Sequence, residues 1–207
     1  MNMAIQETAH NQHHDYTGAK LGMWFFLFTE LLLFGGLFLL YSVYREKFAA
    51  DFHTAGMEMN VGLGAVNTLL LLTSSLTMVL AISAIKRNER NRSLLLQAAT
   101  IVLGAAFLLN KYFEWTWHIR RGIYPDSTQL LAMGHGKVLF FGLYYVMTGI
   151  HGIHVLIGIS VIGFMLALTA RGSISGGDYI KLENAGLFWH LVDVIWIYLF
   201  PLFYLIL

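Results

Sequence analysis

The chain has 207 residues, of which 57% are hydrophobic and 12% charged, and its mean hydropathy is +0.62. A soluble domain carries roughly twice that charged fraction, so the composition describes an integral membrane protein. A formal net charge of +1 gives nucleic acid no electrostatic purchase, and the absence of cysteine excludes disulfides, iron–sulfur clusters and thiolate metal sites.

The opening MNMAIQETAHNQHHDYTGAK lacks the basic and apolar regions of a cleaved signal peptide, so the first membrane helix is expected to act as the insertion signal. Residues 1–19 read as a polar lead-in, whose His10, His13 and His14 suit adventitious metal at most. Residues 20–207 read as one all-α membrane domain of five transmembrane helices, since a core of about 30 Å needs about 20 helical residues. The predicted spans are about 21–44, 62–85, 94–117, 137–168 and 184–207. Between them the loops are short, so basic residues report orientation. Lys20, the KRNERNR cluster over 86–92, Arg171 and Lys181 fall on the N-terminal side; Arg45, Lys47, Arg120 and Arg121 fall on the other. The bias predicts a cytoplasmic N-terminus and a periplasmic C-terminus.

Small residues on the spans (Gly35, Gly36, Gly62, Gly64, Ser74, Ser75, Gly149, Gly152, Gly158) are expected to let helices approach closely. Pro201 removes a backbone donor from the last helix and is expected to bend it.

Ionisable groups inside these spans are costly and need a reason. Glu30 lies about 15 Å into the first span, at 1.5 Å per residue. It suits either a neutral, hydrogen-bonded carboxyl or a proton relay or lipid contact. His151 and His154 share a face of the fourth span in TGIHGIHVLIG. An HxxH pair can chelate a metal, but the flanking glycines favour a close helix contact with the imidazoles as hydrogen-bond fasteners. His190 and Asp193 form a matching polar turn in GLFWHLVDVIWIYLF, and a knot of Glu30, His190, Asp193 and a fourth-span histidine would satisfy all its members. Glu114 lies about 30 Å along its span, too far to share an ion with the others; local pairing with Lys111 or His118 is expected instead. Trp115 and Trp117 read as interfacial belt residues. No metal site and no catalytic residue is predicted on this chain.

These motifs carry a resemblance. FWHLVDVIWIYLF resembles the terminal-helix motif of haem–copper oxidase subunit III, TGIHGIHVLIG its T-G-x-H-G-x-H-V motif, and KLGMWFFLFTELLLFGGLF the segment bearing its intramembrane glutamate. NTLLLLTSS and the FLLNKYFEW segment follow the same order, and the likeness covers residues from about 18 to the end. It implies the five-helix bacterial form, without the first two of seven helices. In longer members that pair walls a lipid-filled cleft, so a partner chain would supply the wall here. The basic residue at the inner end of the family's HxxH helix falls at Leu168, with Arg171 one turn on.

The resemblance further implies a non-catalytic subunit of the bacterial inner membrane, with haem and copper held by partner subunits. Such a subunit packs on subunit I, alongside subunit II and a further small subunit, holds phospholipid and supports proton uptake. Glu30 corresponds to the family's carbodiimide-reactive glutamate; Glu114, His151, His154, Glu183, His190 and Asp193 take other polar positions in the matching segments. The rivals are an independent metal- or haem-binding membrane enzyme, a proton-conducting protein built on Glu30, or the same subunit of a quinol oxidase or nitric oxide reductase.

Overall fold

The computed structural model describes residues 2–205, with side chains from Thr17 onward, so the histidines of the lead-in lie outside the described side chains. The described residues are helical and loop, with a single isolated bridge between Ser175 and Asp178. Five helices are long and apolar enough to cross a membrane: α1 (Asn2–Lys47), α3 (Val61–Lys86), α4 (Arg90–Arg120), α6 (His135–Arg171) and α7 (Ile180–Phe200). Two short helices were not predicted: α2 (Ala49–Gly56) follows α1, and α5 (Thr128–Ala132) precedes α6.

The helix ends follow local chemistry. Asn60 caps α3 by accepting from the Leu63 amide at 3.1 Å, and Ser127 caps α5 by accepting from Leu130 at 3.2 Å. Asn88, at φ 62°, turns the chain between α3 and α4 within three residues. Gly172, at φ 82°, ends α6 in a Schellman motif, with Ser173 N–H donating to Leu168 and Gly172 N–H to Thr169. The Arg90 guanidinium at the start of α4 also donates to the Thr169 and Ala170 carbonyls. A cation there complements the helix dipole as well as the orphan oxygens.

Pro201 alters rather than simply bends the last helix: residues Pro201–Leu205 form a π-helical turn. Widening a turn is one way to accommodate a missing donor. Tyr41 on α1 donates to the Leu202 carbonyl in that turn at 2.6 Å.

The hub is α7. In its apolar stretch 56% of residues are buried, against 11% for α1, which is therefore peripheral. Outward-facing Phe25, Leu39, Leu95 and Val102 are well exposed, as a hydrocarbon solvent allows.

Trp189 on α7 is fully buried and joins four helices. Its Nε1 donates to Ser74 of α3 at 3.0 Å. A Cβ on Gly104 of α4 would lie 2.7 Å from the indole, and one on Gly158 of α6 equally close. The expectation for small residues therefore holds at Gly158, and at Gly64, which meets Phe200 and Tyr204. It fails at Gly35, Gly36 and Gly152, whose missing side chains would enter open space. Gly104 and Gly186, which receive Trp189 and Ile82, were not singled out.

Candidate functional site

The polar residues separate into layers. On the side of the α3–α4 and α6–α7 loops, Glu183 at the start of α7 bridges Lys20 of α1 and Lys86 of α3, each at 3.2 Å. Both lysines are substantially exposed, so this bridge ties helix ends with modest energy.

Deeper, Glu30 Oε2 and His154 Nε2 are 2.9 Å apart, joining α1 to α6. His154 Nδ1 lies 2.7 Å from the Ile150 carbonyl. A carbonyl only accepts, so Nδ1 carries a hydrogen. One further proton then lies between Glu30 and Nε2, and the pair is neutral overall whichever atom holds it. His154 thus links α6 to α1 through Glu30, away from the tryptophans that the flanking Gly149 and Gly158 receive.

The predicted knot divides. His190 Nδ1 meets the Ser75 hydroxyl of α3 at 2.7 Å, without Glu30. Asp193 is 3% exposed, and neither carboxyl oxygen has a hydrogen-bond partner among the described residues. Its polar neighbour is Ser75, whose hydroxyl oxygen also lies 2.7 Å from His190 Nδ1. The physical reason is that His190 and Asp193 turn towards Ser75 of α3, whereas Glu30 of α1 meets His154 of α6. His151 departs from the fastener expectation too: both ring nitrogens are buried without partners among the described residues. It packs instead against Phe107 and Trp196, with ring centroids 5.5 and 5.4 Å away.

Glu114 pairs with Lys111 at 2.9 Å, one of the two local partners expected. The pair is buried inside the bundle, and its company was not foreseen. Lys111 Nζ also donates to Tyr144 and Tyr204, each at 3.0 Å, while the Tyr204 hydroxyl donates to the second Glu114 oxygen at 2.5 Å. The i, i+3 spacing signals the ion pair; nothing local signals tyrosines from α6 and the π-helical turn. Likewise NTLLLLTSS gives no hint that Asn67, Ser74 and Ser75 face Asn110, Trp189 and His190. Trp117 is exposed beneath the Arg121 guanidinium, whereas Trp115 is half-buried against Tyr145.

Among the described residues no group of three or more His, Asp or Glu side chains is arranged to hold a metal ion. The chemistry on display is pairwise helix fastening plus one buried four-residue charge cluster.

The profile of cytochrome c oxidase subunit III matches residues 2–206. The chain belongs to that family. It is 35% identical over 185 residues to cytochrome c oxidase subunit 3 of Alkalihalophilus pseudofirmus, covering 89% of this chain and 85% of the relative. A "Probable quinol oxidase subunit 3" of Staphylococcus haemolyticus is 28% identical over 201 residues, covering 96% and 94%. A "Heme-copper oxidase subunit I+III" of Aeropyrum pernix is 28% identical over 203 residues, covering 94% of this chain and 24% of that much longer one. Membership of the subunit III family places the chain in the haem–copper oxidases, as a multi-pass membrane subunit with five spanning helices.

Proposed function

We propose that this subunit III serves, without a catalytic centre of its own, in a bacterial cytochrome c oxidase of the inner membrane, its N-terminus in the cytoplasm and C-terminus in the periplasm. It packs against subunit I, with subunit II and a small subunit in the same complex, holds phospholipid and supports proton uptake. Haem and copper reside on the partners. The observation that carries this reading is the use of Glu30, His154, Glu183 and His190 in contacts between helices rather than around a common centre. The Aeropyrum relative, named as subunits I and III in one chain, supports the pairing with subunit I.

The decisive experiment purifies the tagged chain from its native membrane. Haem absorbance and copper should arrive with copurifying subunits and be absent from the chain isolated alone. Stoichiometric haem or metal on the isolated chain would overturn the reading. Reconstituted alone in liposomes, it should leave a pH gradient intact; dissipation would favour the proton-conducting rival. A quinol-oxidase role has a specific observation behind it, the staphylococcal relative, and the donor that reduces the haems of the purified complex decides between the two.

A further inference from the structure

A cleft of about 310 Å³ opens between the start of α3 and the last turns of α4, lined by Asn60, Leu63, Phe113, Glu114, Trp117 and His118. Phe113 and Trp117 are exposed, while Glu114 and His118 are 3% and 1% exposed. His118 Nδ1 is buried with no hydrogen-bond partner among the described residues, its ring enclosed by Trp117, Phe141 and Tyr144. A ring nitrogen so placed is costly unless water reaches it, and a water occupies only about 30 Å³ of liquid.

Beyond Glu114 lies the cluster that Lys111 organises. The ammonium donates to Glu114, Tyr144 and Tyr204, and Tyr204 donates to the other Glu114 oxygen. Every link joins groups with exchangeable protons, so a proton entering at one member can be redistributed among the rest. The charged groups nearest His118 are Glu114, Lys111, Glu58 and Arg121; Glu58 is bonded to Lys137 and Arg121 lies over Trp117.

The groove between α4 and α6 offers a contrast. Leu108, Tyr112, Trp115, Gly149, Gly152 and Ile153 make it mainly apolar. Lys111 and Thr148 there have protein partners, and the one buried polar side-chain atom of the groove without a partner among the described residues is the Trp115 indole nitrogen.

We propose that the cleft beside His118 is a hydrated inlet through which the Lys111–Glu114–Tyr144–Tyr204 cluster exchanges protons with the aqueous phase on the membrane face carrying α2 and α5. This goes beyond the oxidase reading and does not depend on the electron donor.

Adjacent residues supply the test. Phe113 lines the cleft and Tyr112 the apolar groove, at nearly equal depth on α4. The native chain has no cysteine, so each position can carry a unique thiol. In vesicles holding the full chain, a charged methanethiosulfonate reagent should modify Phe113→Cys at least about tenfold faster than Tyr112→Cys, because the reaction needs a thiolate and therefore water. Equal rates would overturn the inlet. The infrared C–O–H bending band assigned to Tyr204 by its loss in Tyr204→Phe should shift promptly on transfer to D₂O. A bulky maleimide on Phe113→Cys should slow that shift, whereas the same adduct on Tyr112→Cys should not. Slow exchange in the unmodified protein, or exchange indifferent to the Phe113 adduct, refutes the proposal.

Discussion

Replacing Gly158 by alanine tests whether Trp189 is the wedge on which the bundle closes. The new methyl carbon would lie 2.7 Å from Trp189 Cε3 and 2.8 Å from Cζ3. Carbon contacts are optimal at about 3.5–4.0 Å, so ring or helix must move by about 1 Å. The ring cannot simply withdraw. It is fully buried, its Nε1 is bonded to Ser74, and Gly104 admits its other edge. Overpacking of this kind costs about 1–3 kcal/mol. Alanine also carries a helix-propensity gain of up to about 1 kcal/mol, which would mask part of the loss. Gly152→Ala, where nothing lies within 4 Å, measures that gain alone in the same helix.

The assay is unfolding of the purified chain in mixed micelles of rising SDS fraction, followed by far-ultraviolet circular dichroism. Gly158→Ala should be less stable than Gly152→Ala by about 1–3 kcal/mol. Trp189→Leu should cost on the order of 2–4 kcal/mol through the cavity it leaves. The lost indole donor adds little, since intramembrane hydrogen bonds average about 0.6 kcal/mol and Ser74 still donates to Leu71. In the double variant the methyl enters vacated space, so the two losses should fall short of additivity by at least about 1 kcal/mol. Equal stability of the two alanine variants, or strict additivity, would refute the wedge.

Substitutions at Lys111, Glu30 and Asp193 probe the polar layers by the same unfolding assay. Lys111→Met strands the Glu114 carboxylate and should cost about 3–5 kcal/mol, most of it recovered in Lys111→Met/Glu114→Gln; an uncorrected double variant would contradict pairing as the cause. Glu30→Gln can still donate to His154 and should lie within about 1 kcal/mol of wild type, with Glu30→Ala lower. The reverse order would show that the hydrogen bond between α1 and α6 does not stabilise the chain. Asp193→Leu removes a carboxyl with no hydrogen bond to lose, so the isolated chain should keep or gain stability.

What the sequence alone determined is what hydrocarbon imposes. A span must be apolar over about 30 Å, so five helices are legible in composition and length. Local spacing also makes the Lys111–Glu114 pair legible, because residues three apart on one helix meet whatever surrounds them. The facing of the helices is not written this way. In water an apolar stripe marks the core, but in a bilayer the lipid-facing and bundle-facing surfaces are both apolar. Hence equal depth suggested one knot of Glu30, His190 and Asp193, while rotation of α7 directs His190 to Ser75 and leaves Glu30 to His154. Tertiary structure alone decided which glycines receive a ring, left His151 among aromatics, and brought Tyr144 and Tyr204 to the buried ion pair. Close packing between helices, which no single helix specifies, selects those contacts.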